Sequence, residues 1–256
     1  LWLSRRVQTS MLHLADRAIC LGRLMYNRLH EDFPQVSPEK ILHSVPPAYT
    51  GHYPDDHLTK AQAMERLGFT GRGRVFLCFG GVHPYKGLTD IIPLFRKHPL
   101  RDHTLVVAGP PSTAQYARSI EGLATDQENV HLQLRAIADD EVQNFFRAAD
   151  FFVMPYKKVT NSGSVMLALT FGMPIIAPAV GPIPECVDPR FGVLFEQAGS
   201  RALKETLVKA LGANLENMKL EARRAVENHD PRKIAHEWVR AFVDLTPGRV
   251  LMEEYE

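Results

Sequence analysis

The sequence predicts an α/β fold, a doubly wound parallel (Rossmann-like) sheet, with a partial second α/β unit at the N-terminus. Three observations predict it. Six short segments rich in Val, Ile, Leu and Phe, bounded by Gly or Pro, read as buried strands. Helical patterns alternate with them through residues 74–196. The strand segments are apolar almost without interruption, as strands covered on both faces are. In order, the strands are 75–79, 104–108, 130–134, 151–154, 174–178 and 192–195, and the helical patterns between them are 88–97, 114–125, 140–149 and 164–171. After Glu196 come helical stretches at 201–211, 215–226 and 231–245, the last with Pro231 at its first position behind a capping Asp230. Ahead of the alternation lie a helical pattern through Asp16, an apolar segment at 18–21, a helix at 23–30 and an apolar segment at 41–45. These look like the tail of a second α/β unit. Residues 46–62 are rich in Pro, Gly and turn formers, which places the domain boundary there. The expected division is 1–50, a linker or hinge at 51–72, a main domain at 73–230, and a C-terminal helix and tail at 231–256. The chain opens Leu1-Trp2-Leu3 in place of Met and has no signal-peptide pattern, so a piece of a longer protein is expected.

Composition narrows the function. With 256 residues, 45% hydrophobic and 23% charged, the chain can fill one large or two small cores, which excludes disorder, collagen and a disulfide-stapled mini-protein. Lys and Arg number 30 against 29 acidic residues, so no global field gathers nucleic acid or an anionic membrane. An anionic ligand has to be held locally. Cys20, Cys78 and Cys186 form no CxxC pair, which points to a reducing compartment and away from a zinc or disulfide framework. Pro or charge interrupts each apolar run before the roughly 18–20 residues a membrane span needs. A cytoplasmic protein is expected.

Ligands of open parallel sheets bind at the carboxyl ends of strands where strand order reverses, so the loops after strands hold the candidates. Strand 75–79 runs into Gly80-Gly81-Val82-His83-Pro84-Tyr85-Lys86-Gly87 before a helix. Gly80 and Gly81 let a ligand approach the backbone, and Lys86 adds a full charge to the positive end of the helix, a combination that suits phosphate. The GxxxxGK[ST] and GxGxxG spacings are absent, and a tight turn with a solvated Lys86 explains the same residues. After strand 151–154, Lys157 and Lys158 lead through Thr160, Asn161, Ser162, Gly163 and Ser164 into the next helix. These residues suit a second anion site at a helix N-terminus, and capping alone also accounts for them. Convergence of the two loops on one sheet edge favours a ligand. Gly172 and Pro174 end that helix and open the next strand, and Gly181-Pro182-Ile183-Pro184-Glu185 forms a rigid loop at that strand's far end.

Taken together, FGGVHPYKG, VVAGP, AADFFVMPY, TNSGSVMLALTFGMPIIAP and GPIPE resemble, in order and spacing, the C-terminal nucleotide-sugar-binding domain of a GT-B glycosyltransferase of family 4 (group 1). The similarity covers about residues 74–245, and residues 1–45 resemble the last part of that family's N-terminal domain. The resemblance implies that 73–230 binds the donor and that 1–50 is a remnant of the acceptor domain. Lys86 matches the family lysine on the donor diphosphate. The matching arginine falls on Gly81 or His83; a protonated His83 would supply part of its charge, and packing within the loop is its other reading. The two family glutamates, one for the sugar and one for the ribose, fall on Val159 and Leu167, so both carboxylates are missing. Their contacts then pass to Thr160, Asn161, Ser162 and the backbone of Gly163 and Ser164. Glu185 matches the family "PE", with capping of a short helix as its alternative role. The nucleobase would lie against Arg135, Ala136 and Ile137, where Arg135 either stacks on the base, pairs with phosphate or is solvated.

On this resemblance, the expected function is transfer of a hexosyl unit from a UDP- or GDP-sugar to a hydroxyl acceptor, with retention at the anomeric carbon and no metal or other cofactor. Lys86 carries the catalytic part assigned to this half, stabilising the departing diphosphate. A saccharide or lipid-linked molecule is the expected acceptor, and nucleic acid is not an expected partner. Residues 1–14 have some amphipathic character that would suit a peripheral membrane contact; packing of that apolar face into a core is the stronger reading. Two alternatives stand beside transfer. One is a degenerate, non-catalytic nucleotide-binding or scaffold domain, motivated by the missing arginine and glutamates. The other is a GT-B nucleotide-sugar epimerase, which ranks lower because no carboxylate or histidine pair flanks the loops.

Overall fold

The computed structural model describes residues 2–54, 57–159, 163–196 and 199–243. The chain opens with α1 (Trp2–Leu14), β1 (Ala18–Leu21), α2 (Arg23–Asp32), β2 (Ile41–Ser44) and α3 (Lys60–Arg66). The alternating stretch is β3 (Val75–Phe79), α4 (Leu88–Ile91), β4 (Thr104–Ala108), α5 (Ala114–Ala124), β5 (Val130–Gln133), α6 (Asp139–Ala148), β6 (Phe151–Val153), α7 (Gly163–Thr170), β7 (Ile175–Pro178), α8 (Ile183–Cys186) and β8 (Gly192–Phe195). Three helices close it: α9 (Ser200–Leu211), α10 (Leu215–Val226) and α11 (Pro231–Val243). The chain divides into two compact units, one from Ala48 to Asn228 and one joining the residues up to Pro47 with those from His229 onward.

The larger unit is built on a six-stranded, all-parallel sheet in the order β5-β4-β3-β6-β7-β8. Successive strand side chains point to opposite faces, and both faces are dry. Val75 and Leu77 of β3, Val106 of β4, Phe152 of β6 and Ile175 of β7 join one core with α6 and α7. Phe76 and Cys78, Leu105 and Val107, Phe151 and Val153, and Ile176 join the other with α4, α5 and α9. This double burial is why the strands read as continuous apolar runs.

Two elements differ from the sequence reading. The helix expected over 88–97 is α-helical only as α4; Ile92–Arg96 is a 3-10 turn. Pro93 has no N–H for the α ladder and its ring clashes with the preceding turn. The stretch 51–72, read as linker, lies within the larger unit and contains α3. A capping box starts that helix: the Thr59 hydroxyl accepts from Gln62 N at 3.3 Å, and Thr59 N donates to Gln62 Oε1 at 3.0 Å. Ala63 is fully buried. Lys60 pairs with the buried Asp150, whose Oδ2 also accepts from Val75 N at 2.7 Å, at the first residue of β3.

In the smaller unit β1 and β2 pair in parallel, from Ala18 opposite Ile41 to Leu21 opposite Ser44. Cys20, Phe33, Val36 and Ile41 form its core, with Leu12, Tyr26 and Leu29 packed against them. α11, set apart as a tail by the sequence reading, belongs to this unit; Trp238 Nε1 donates to Ser44 Oγ at 2.9 Å. Asp230 caps it, its Oδ1 accepting from Arg232 N at 2.8 Å. No helix among the described residues is long and apolar enough to cross a membrane.

Candidate functional site

From β3 the chain winds outward through β4 to β5, then returns to lay β6 on the opposite side of β3. The reversal lies between β3 and β6, so their two following loops meet at the carboxyl edge, where open sheets bind ligands. The first loop is pinned to its neighbour after β4: Val82 N donates to Pro110 O at 2.7 Å and Ser112 N to Val82 O at 2.9 Å. Gly80 (φ +94°) turns the chain. Gly109 lets the two backbones touch, since a Cβ there would stand 2.3 Å from Gly80 O. A 3-10 turn, Pro84–Lys86, then brings Lys86 inward and ends at Gly87, φ +70°. A Cβ on Gly87 would lie 1.9 Å from Pro155 O, so the first loop seats on the second only because this residue is glycine. Lys157 N donating to Tyr85 O at 2.7 Å completes the seam.

Lys86 is the chemical centre of this junction. It is 8% exposed. Its ammonium lies 3.5 Å from Phe79 O and 5.2 Å from the centroid of the Tyr156 ring. Among the described residues no carboxylate pairs with it, and burial lowers its pKa. Among the described residues this buried cation is held by one long carbonyl contact and a ring face, which leaves it under-satisfied, and an arriving anion would complete it. Cys78, beneath it, remains a thiol, its pKa pushed up to about 12 by burial. Tyr156 is likewise buried and its hydroxyl stays protonated, its pKa raised by burial. That hydroxyl bonds Ser164 Oγ at 3.0 Å, in the first turn of α7. One side chain thus links the lysine to the helix whose N-terminal end supplies partial positive charge.

The other sequence candidates scatter along the same edge. Gly81 lies beside His83, whose ring stacks on Tyr85 at 5.5 Å, so the imidazole is packed within the loop. Gly163 and Ser164 are the first residues of α7. Thr160, Asn161 and Ser162 lie outside the described residues. Arg135, Ala136 and Ile137 follow β5, two strands from β3 and so about 10 Å away. Ile137 packs against the core, and Arg135 is occupied: its guanidinium makes a two-pronged bond with Glu141 at 2.8 and 2.5 Å, and donates to Ala136 O at 3.1 Å. This pair holds the Glu141 carboxyl down to about 2. Glu185 is exposed in α8, which follows β7 on the other side of β6. Val159 and Leu167 pack against the core, so apolar packing fills both places expected for carboxylates. Lys157 is taken up by Asp90 at 3.1 Å. Among the described residues no three His, Cys, Asp or Glu side chains are grouped to hold a metal ion. Sequence reasoning passed over Tyr156 and Gly87, whose roles depend on β3 and β6 being neighbours.

Residues 73–213 match the family model described as "Glycosyl transferases group 1". The chain belongs to this family. Among curated relatives, a GDP-mannose:glycolipid 4-beta-D-mannosyltransferase of Xanthomonas campestris pv. campestris is 30% identical over 156 residues, covering 60% of this chain and 43% of the relative. A GDP-mannose-dependent monoacylated alpha-(1-6)-phosphatidylinositol monomannoside mannosyltransferase of Corynebacterium glutamicum is 31% identical over 175 residues, covering 64% and 44%. The chain thus spans less than half the length of these relatives. The architecture is that of GT-B glycosyltransferases: HepE of Anabaena, solved in complex with UDP and glucose, superposes with a TM-score of 0.77 at 16% identity, covering 94% of this chain and 67% of that one. In this group 1 chain the junction of Lys86, Tyr156 and α7 occupies the strand-order reversal of the shared fold.

Proposed function

We propose that this chain supplies the donor-binding part of a glycosyltransferase that moves a hexosyl unit from a nucleotide-sugar to a hydroxyl of a lipid-linked or saccharide acceptor, with GDP-mannose as the donor. One observation carries the reading: Lys86 is buried and without a carboxylate partner among the described residues, at the strand-order reversal and beside the start of α7. Family membership supports the reaction class, and both relatives' names print GDP-mannose and a lipid acceptor. In the reaction the bond from the anomeric carbon to the diphosphate oxygen breaks, and its electron pair leaves with the diphosphate. The acceptor oxygen bonds that carbon and gives up its proton. Negative charge grows on the leaving diphosphate, and Lys86 with the N-terminal end of α7 is placed to neutralise it. Acceptor binding and proton removal are assigned to parts of the whole protein other than this crevice, so this chain by itself binds nucleotide and transfers little sugar. Retention is part of the proposal; the two relatives' names print a beta and an alpha linkage, and the anomeric configuration of the product, read by NMR, decides it.

Calorimetric titration with GDP, UDP and ADP tests the donor assignment. Saturable GDP binding, stronger than that of UDP or ADP and weakened in Lys86→Ala, is expected. Absence of binding at millimolar GDP supports the second reading, a degenerate scaffold domain, which the apolar residues Val159 and Leu167 favour.

A further inference from the structure

A second cavity, of about 440 Å³, opens in the larger unit at the far end of α7 from the crevice. That volume lies in the range of small-molecule sites, roughly 300–1,000 Å³. Its walls combine two kinds of group. Tyr49, Tyr53 and Phe171 form an aromatic side, with Tyr53 5.6 Å from Phe171 and 6.3 Å from Tyr49 between ring centroids. Arg147, in the last turn of α6, and Arg223, on α10, bring positive charge to the same cavity. Arg223 is exposed and has no carboxylate partner among the described residues. Its stem lies flat over Gly172, where a Cβ would come within 2.6 Å of Arg223 Cγ; only a glycine there (φ +63°) admits it. The cavity is not isolated from the crevice. Tyr49 runs along α7: its backbone N–H donates to Thr170 Oγ1 at 3.0 Å, while its hydroxyl lies 3.5 Å from the Cβ position of Gly163.

Guanidinium groups beside a tyrosine wall match a ligand with a flat or ring-shaped body and a compact anionic group. We propose that this cavity is a second small-molecule site, taking a phosphate monoester carried on a ring, with the phosphate on Arg147 and Arg223 and the ring against Tyr49 and Tyr53. Because Tyr49 reaches Gly163, occupancy bears on the first turn of α7 and hence on the nucleotide crevice. The proposal stands on residues separate from Lys86 and does not depend on the donor assignment.

The test is titration of the full chain with phenyl phosphate, followed by calorimetry, with phenol and inorganic phosphate as controls. Phenyl phosphate is expected to saturate and to bind more tightly than either control. Arg223→Gln should weaken it at least fivefold, as loss of a charge-assisted bond does, with Arg223→Lys recovering part of the loss. Lys86→Ala should leave it unchanged. Tyr53→Leu should weaken phenyl phosphate and leave inorganic phosphate as it was. No saturable binding, a change below fivefold in Arg223→Gln, or abolition by Lys86→Ala, which would place the anion in the crevice, overturns the proposal. Circular dichroism of each variant separates lost binding from lost folding.

Discussion

Lys86→Met separates a ligand-binding lysine from a structural one, because the two readings predict opposite signs for stability. Methionine keeps an unbranched chain of similar reach but removes the charge. In the structure that charge is buried at 8% exposure, with one carbonyl at 3.5 Å and a ring face at 5.2 Å as its partners among the described residues. Holding an ammonium there in the absence of an anion costs desolvation that these contacts offset only in part. Removing it should leave stability unchanged or raise it by about 1–2 kcal/mol. The same change deletes a charge-assisted bond to the diphosphate of about 1.5–3 kcal/mol, so GDP affinity should fall roughly 10- to 100-fold. Urea unfolding reads the first quantity and calorimetric titration with GDP the second. A Met variant that loses more than about 2 kcal/mol while binding GDP as the wild type does would refute the argument and make Lys86 part of the core.

Other expectations follow from the same junction. Burial lowers the Lys86 pKa from 10.5, so between the lowered value and 10.5 the unfolded chain holds more protons and wild-type stability rises with pH. The stability advantage of Lys86→Met should therefore shrink as pH rises through that window, while GDP affinity of the wild type falls there; unfolding and binding measured from pH 7 upward check both. Gly87→Ala puts a Cβ 1.9 Å from Pro155 O at φ +70°, and should lower stability by more than about 2 kcal/mol and weaken GDP binding together; an unchanged urea midpoint would count against the seam. Tyr156→Phe removes only the bond to Ser164 and should lower stability by about 0.5–1.5 kcal/mol. Tyr156→Leu also removes the ring over the ammonium and should bind GDP more weakly than the Phe variant, as calorimetry would show.

The central strands β3, β4, β6 and β7 were legible because they are buried on both faces, and such strands announce themselves by composition alone; the edge strands β5 and β8 are only partly buried. β3, β4 and β8 begin and end where the apolar runs do. Two local signals were missed: Pro93, which the helix expected over 88–97 ran through, and the Thr59-x-x-Gln62 capping box of α3, overridden by the Pro- and Gly-rich composition around 46–62 that drew the reading toward linker. Lys86 could be picked out because a lysine next to a glycine loop and a helix start is a local pattern. Its surroundings could not. Tyr156 reaches it only because the chain returns across the sheet to set β6 beside β3, and no local spacing records that. Arg135 is a different case: the sequence left it open between a ligand contact and a solvated loop cation, and the structure pairs it with Glu141, six residues on.

The ion pair between Lys60 and Asp150 fixes where this fold begins as a physical object. The family match starts at residue 73, and an excised fragment cut there would look complete by homology. Asp150 is 3% exposed, though, and the ammonium that answers it comes from α3, thirteen residues upstream of that boundary. Val75 N would still donate to the carboxylate, but the opposite charge would be gone at the base of the central strand. Since Lys60 is itself partly exposed, the loss is about 1–3 kcal/mol, a sizeable share of the 5–15 kcal/mol a typical fold has in reserve. A fragment meant to report on nucleotide binding should therefore start at Ala48, where the compact unit starts, so that weak binding reflects the crevice and not a frayed first strand.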